Sequence, residues 1–141
     1  MDPYIGEIRI VPFATAPNGW AACNGQRLPI RDNEALYTIL GTTYGGDGQT
    51  YFNLPDMRGR GPVGMGQGHG LSHYRLGQKA GTEKPVVNND ADAQNGVGVL
   101  RTIGIPDRDQ QPTINGTHSI IQPSLPLNFI ISLRGIYPVR N

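Results

Sequence analysis

Residues 40–60 read LGTTYGGDGQTYFNLPDMRGR, and ten of the thirty residues from Gly41 to Gly70 are glycine. A glycine in the interior of a helix or strand costs roughly 0.5–1 kcal/mol relative to alanine. Ten such positions would cost about as much as the whole net stability of a domain, which is roughly 5–15 kcal/mol. We therefore expect these glycines to lie mostly at positive φ or where backbones approach closely, in a loop region that is ordered by its contacts.

One short helix is predicted immediately before this stretch. Asp32 or Asn33 can cap its N-terminus, and Glu34 favours its positive end. Gly41 suits the position just past its C-terminus. The apolar stripe of the helix consists of Leu36, Ile39 and Leu40. Because a helix of about two turns is marginal alone, packing must hold it.

Two alternating segments predict strands, one near each end of the chain. Residues 5–13 alternate, with Ile8 and Ile10 on one side, and Pro12 ends the strand. Residues 125–133 alternate strictly, so we expect a long strand with one fully apolar face.

The residues after the first strand carry a turn signal and the only tryptophan. Asn24-Gly25 between short apolar runs predicts a β-hairpin. Trp20 is expected to pack against the face formed by Ile8 and Ile10, with an exposed platform for stacking on sugars as the alternative.

The composition argues against several classes of protein. No segment approaches about 18 consecutive apolar residues, so we expect no membrane insertion. The first residues lack the basic and apolar segments of a secretory signal peptide. The net charge is +1 and the 12 Lys and Arg are spread along the chain, so a nucleic-acid partner is not expected. The single Cys23 cannot form an internal disulfide and is expected to be a buried small side chain.

Several short motifs follow one another in a characteristic order. They are GEI (6–8), PNGW (17–20), CNGQ (23–26), ALY (35–37), residues 40–48 and 52–60, GQG (66–68), LGQ (76–78), LNFII (127–131) and GIYPVRN (135–141). Together they resemble the phage tail collar family, including the group called microcystin-dependent proteins. The resemblance covers residues 5–81 and 125–141.

The resemblance implies a fold and an assembly. The expected fold class is mainly β with one short α-helix (α+β), rich in glycine and loops, in an intertwined homotrimer. The chain would be a structural component of a phage tail fibre or contractile injection particle, and not an enzyme. Its partners would be its own copies and other tail or baseplate proteins. We expect it in the virion tail or an extracellular particle after assembly in the host cytoplasm.

A polar region from 82 to 118 separates the tail-collar-like domain, residues 1–81, from a C-terminal strand segment, residues 119–141, that completes it. We expect this insert to attach the particle to cell-surface glycans by many weak contacts. Its candidate receptor-binding residues are Asn88, Asn89, Asp92, Arg101, Arg108 and Gln110. The equal alternative is that the insert fills the trimer surface or docks to the rest of the fibre.

Two other functions stay open at this point. One is a purely structural tail-tip, collar or filament subunit without a receptor. The more distant one is a polysaccharide hydrolase, although Glu7, Glu34 and Glu83 are isolated from one another in the sequence.

The histidines are weak metal candidates, and we expect no metal and no cofactor. His69 and His73 have the i, i+4 spacing of a helical metal site, but the glycines around them argue against a helix. The family's distant relatives hold zinc through a His-x-His site. In this chain the only histidine after residues 77–81 is His118.

Acidic residues in the glycine-rich stretch are given structural roles. Asp56 is expected to form an ion pair with Arg58 or Arg60, within one chain or between two. Asp47-Gly48 is expected to form a turn, because the neighbouring glycines occupy the wrong places for a calcium loop.

Overall fold

The computed structural model describes residues 1–81 and 123–139, so the polar insert lies outside the described residues. The chain divides into two compact units, Met1–Lys79 with Leu125–Asn141, and Ala80–Ser124. Every helix and strand given below belongs to the first unit. Within residues 1–81 and 123–139, no helix is long and apolar enough to cross a membrane.

The largest sheet of the described part has three short strands. Strands β1 (Ile8–Val11) and β2 (Trp20–Ala22) both pair antiparallel with β7 (Asn128–Ser132), which lies between them. Ile131 of β7 faces Ile8 on one side and Ala21 on the other. The end of the chain therefore holds the two N-terminal strands together.

A second, two-stranded sheet is formed by the strands that precede and follow the helix in the sequence. Strand β3 (Arg27–Pro29) pairs antiparallel with β4 (Tyr51–Asn53). A 3-10 turn (Ile30–Asp32) leads from β3 to helix α1 (Glu34–Leu40). The sequence predicted this helix, and Gly41 does end it, with φ of 53°.

The N-terminus of α1 differs in detail from the expectation. Asn33 holds the cap position, but its side chain makes no capping hydrogen bond there. Its amide Nδ2 donates instead to the carbonyl of Pro29, at 3.0 Å. The side chain thus fixes the 3-10 turn before the helix.

One small core joins the first sheet, the second sheet and the helix. Leu36, Phe52 and Ile131 have no exposed surface, although they lie on α1, β4 and β7 respectively. The complete buried cluster of the described chain is Ala21, Cys23, Leu36, Phe52, Leu54 and Ile131. Cys23 is buried, as predicted.

A third pair of strands forms a small hairpin. Strand β5 (Gly66–Gln67) pairs antiparallel with β6 (His73–Tyr74). The observed architecture of the described residues is therefore mostly short β-strands with a single short helix, as expected for a mainly β fold with one short helix.

Glycine conformation matches the prediction made from the glycine-rich stretch. Seven of its ten glycines have positive φ: Gly41, Gly45, Gly46, Gly48, Gly59, Gly66 and Gly70. These positions suit glycine because other residues are strained there.

Two strand predictions were wrong in part. Asn24-Gly25 does not close a hairpin, because β2 pairs with β7 and β3 pairs with β4. The last strand is shorter than expected, since β7 begins only at Asn128. Its central position also buries residues on both faces, Ile131 on one and Ile130 and Ser132 on the other.

The prediction for Trp20 was also wrong. Trp20 is opposite Ser132, whereas Ile8 is opposite Ile131. Successive side chains on a strand point to opposite faces, and paired residues share a face. Trp20 therefore lies on the face opposite to Ile8, together with Arg9.

Candidate functional site

The glycine-rich loop is organised around the Asp47 carboxylate. Its Oδ1 accepts hydrogen bonds from the backbone N–H groups of Gln49, Thr50 and Tyr51 at 2.9, 2.8 and 3.0 Å. Its Oδ2 accepts a hydrogen bond from the hydroxyl of Thr50. These hydrogen bonds hold the pKa of Asp47 well below its usual range. Asp47 thus fixes the expected turn by binding the loop's own backbone.

Close backbone contact attaches this loop to β4. Gly46 forms a β-bridge with Phe52, and the N–H of Asn53 donates to the carbonyl of Gly45 at 3.0 Å. A Cβ atom on Gly46 would lie 2.6 Å from the Cα of Phe52 and 2.7 Å from the carbonyl oxygen of Tyr51. Only a glycine fits between these atoms without moving the backbone.

The Asp56 carboxylate forms a bidentate pair with Arg58 of the same chain. Nε and Nη2 of Arg58 donate to Oδ1 and Oδ2 of Asp56, each at 2.8 Å. Hydrogen bonds from the Arg58 side chain lower the pKa of Asp56 to about 2. Arg60 does not share this pair; its backbone N–H donates to the carbonyl of Met57 at 3.1 Å. The Asp56–Arg58 pair therefore braces the loop that follows β4.

Asp56 also anchors the Asn24-Gly25 turn. Asn24 forms a β-bridge with Asp56, and a Cβ on Gly25 would lie 3.2 Å from the Cβ of Asp56. The N–H of Gly25 donates to the carbonyl of Pro55 at 3.1 Å. The turn expected to close a local hairpin thus makes a long-range contact.

Arg9 covers the Trp20 ring. The Cζ of Arg9 lies 4.9 Å from the ring centroid, and its Nε donates to Oε1 of Glu7 at 2.7 Å. A cation over the face of an indole is a favourable contact. This face of the half-buried Trp20 is consequently occupied and is not an open platform for a sugar.

The histidine and insert residues are only partly described. His73 is on β6 opposite Gln67, and His69 lies in the loop before it. In the described ranges no three His, Cys, Asp or Glu side chains come together as a possible metal site. The remaining predicted residues lie outside the described residues: Asn88, Asn89, Asp92, Arg101, Arg108, Gln110 and His118.

The apolar face of β1 is uncovered. Ile8 and Ile10 are 43% and 54% exposed, although they share a sheet face with the fully buried Ile131. Strand β1 has β7 as its only strand neighbour among the described residues. Sheet edges and exposed apolar patches are common sites of association. The alternation of residues 5–13 indicated the strand but not that its apolar face would be open.

Comparison with known proteins assigns part of this arrangement to a family. None of the curated proteins matches the chain. Residues 6–62 match the family model of the phage tail collar domain. The match contains β1 to β4, helix α1, the Asp47 loop and the Asp56–Arg58 pair, but not β7. Residues 6–62 of this chain are therefore similar to the phage tail collar domain.

Proposed function

We propose that the chain is a structural subunit of a phage tail fibre or contractile injection particle, that it assembles as a homotrimer, and that its polar insert attaches the particle to cell-surface glycans. The collar domain supports a place in a phage tail. The observation that carries the assembly is the uncovered apolar face of β1, formed by Ile8 and Ile10.

Covering this face contributes free energy that favours association. Burying a whole isoleucine side chain contributes roughly 1.5–3 kcal/mol. Ile8 and Ile10 are about half exposed, so covering the remainder contributes about 1 kcal/mol for each residue. Two residues in each of three chains then contribute about 6 kcal/mol before the cost of association.

The attachment mechanism proposed for the insert is multivalent. One glycan contact through Asn, Asp, Gln or Arg side chains is weak, and three copies per fibre raise the avidity without any new contact. The six residues named for this role are Asn88, Asn89, Asp92, Arg101, Arg108 and Gln110. Their polar groups can donate to and accept from sugar hydroxyls.

The assembly is tested with a matched pair of substitutions on exposed apolar residues. Ile10→Asn removes an apolar side chain from the β1 face, whereas Val63→Asn changes one that is 68% exposed and outside the sheet. Analytical ultracentrifugation should show a shift from trimer to monomer for Ile10→Asn only. An equal effect of both substitutions, or of neither, would contradict the role of the β1 face.

The attachment is tested by deleting residues 86–96 and measuring adsorption of the assembled particle to host cells. We expect the trimer to persist and adsorption to fall. Unchanged adsorption with an intact trimer would refute the recognition role and leave a purely structural subunit.

A further inference from the structure

Two Asn-Gly pairs lie among the described residues, and the structure holds them differently. They are Asn18-Gly19, between β1 and β2, and Asn24-Gly25, shortly after β2. Both asparagines are exposed. Two further Asn-Gly pairs, at 95–96 and 115–116, lie outside the described residues. Comparison of the first two pairs therefore isolates the effect of local structure on the same dipeptide.

An Asn-Gly pair is prone to spontaneous loss of ammonia. The glycine backbone nitrogen gives up its proton and attacks Cγ of the asparagine, and the side-chain amide leaves as ammonia. Water then opens the resulting succinimide ring to aspartate or isoaspartate, so the reaction consumes water, releases ammonia and needs no oxidant. Glycine favours this attack because no side chain crowds its nitrogen and its backbone turns freely. A reactive pair therefore needs a glycine N–H without a partner and an asparagine side chain that is free to turn towards it.

The Asn18-Gly19 pair meets both requirements. Within residues 1–81 and 123–139, the N–H of Gly19 donates no hydrogen bond and the side chain of Asn18 makes none. A Cβ atom on Gly19 would meet nothing within 4 Å beyond its chain neighbours. Water and Cγ of Asn18 can therefore both reach the Gly19 nitrogen.

The Asn24-Gly25 pair meets neither requirement. The N–H of Gly25 donates to the carbonyl of Pro55 at 3.1 Å, and Oδ1 of Asn24 accepts from the N–H of Gln26 at 3.2 Å. A Cβ atom on Gly25 would lie 3.4 Å from Oδ2 of Asp56. The negative charge of this carboxylate opposes the loss of a proton from the nearby nitrogen. Attack at this pair requires both hydrogen bonds to break first.

We propose that Asn18-Gly19 is a site of spontaneous deamidation in the folded protein, that Asn24-Gly25 is protected by its contacts, and that the isoaspartate product opens the turn before β2. The site goes beyond the proposed function, because its chemistry depends only on the fold of one chain.

Isoaspartate at position 18 changes the turn from which β2 begins. The N–H of Trp20 donates to the carbonyl of Pro17 at 3.0 Å, and the φ of Gly19, 82°, suits the second central position of this turn. Isoaspartate adds a carbon atom to the backbone between residues 18 and 19, inside the ring that this hydrogen bond closes. The carbonyl of Gly19 also accepts from the N–H of Leu133 at 2.8 Å, where the pairing of β2 with β7 ends. The modification should therefore weaken this end of the sheet.

The first test incubates the unaltered full chain at mildly alkaline pH, both folded and in concentrated guanidinium chloride. One tryptic peptide, residues 10–27, contains both asparagines, so electron-transfer fragmentation reads the conversion of each from the same sample. In the folded chain, Asn18 should react at least roughly tenfold faster than Asn24, because two hydrogen bonds must break at the slower site. In the denaturant the two rates should be similar. Equal rates in the folded chain, or the same ratio of rates in both conditions, would overturn the proposal.

The second test compares Asn18→Gln with its matched control Asn24→Gln. Glutamine reacts far more slowly than asparagine, because attack on its longer side chain forms a larger ring. The melting temperature of each variant and of the unaltered chain is measured before and after the same incubation. It should fall for the unaltered chain and for Asn24→Gln, and stay constant for Asn18→Gln. An equal fall in all three, or a constant value in the unaltered chain after conversion of Asn18, would overturn the proposed effect on the turn.

Discussion

Replacement of Gly46 by alanine tests how the glycine-rich loop is held. The φ of Gly46 is 110°, a conformation that costs a residue with a side chain roughly 1–3 kcal/mol. The new Cβ would also lie 2.6 Å from Cα of Phe52, and forced overpacking costs about 1–3 kcal/mol more. We therefore expect Gly46→Ala to lower the free energy of unfolding by about 4 kcal/mol, a large part of a typical total.

The matched control for this substitution is Gly19→Ala. Gly19 has a similar φ of 82°, but a Cβ there would meet nothing within 4 Å. Its cost is therefore only the conformational strain of about 1–2 kcal/mol. Urea unfolding followed by circular dichroism, at one fixed protein concentration, compares the two variants. Equal losses of stability would refute the close packing of the loop on β4.

Three other outcomes follow from the described side chains. The folded-state pKa of Asp56 is about 2, below its ordinary 3.8, and the pKa of Asp47 is lowered as well. The stability that these two carboxylates contribute is therefore complete above about pH 4 and is lost as the pH falls towards 2. The melting temperature should drop over this interval, and a melting temperature that stays constant would be contrary to the prediction. Asp56→Ala should lower the melting temperature and the proportion of trimer, whereas Asp32→Ala, at an exposed pair, should change neither; identical values for both variants would argue against a bracing role. Burial raises the pKa of Cys23 to about 11, so a thiol reagent at pH 8 should react with it only after unfolding, and fast labelling of the folded protein would show that this site is open.

Local sequence signals predicted the elements that local physics decides. Helix α1 and its end at Gly41 could be predicted because a cap position and an apolar stripe are both short-range features. Positive φ at the glycines follows from the same short-range reasoning. The pairing of Asp56 with a nearby arginine was also predicted, because opposite charges two residues apart are within reach.

Long-range pairing decided what the sequence did not show. At Asn24-Gly25 the N–H of Gln26 donates to Oδ1 of Asn24 and Gly25 has a φ of 75°, but β2 pairs with a strand that follows it by more than 100 residues. The face occupied by Trp20 depends on the register with β7, and a register shift of one residue would reverse it.

Residues 6–62, which match the family model, do not contain all the strands of the first sheet. Strands β1 and β2 lie inside residues 6–62, yet they are connected in the sheet through β7, which lies outside that range. Ile131 on β7 completes the core with Leu36 and Phe52. The C-terminal strand is therefore part of the same folded unit as residues 6–62.

The most direct measurement is the mass of the unaltered chain in solution, by light scattering at micromolar concentration. We expect a mass three times the 15.3 kDa of one chain, because association buries the exposed apolar face of β1. A folded species with the mass of a single chain would contradict the proposed trimer.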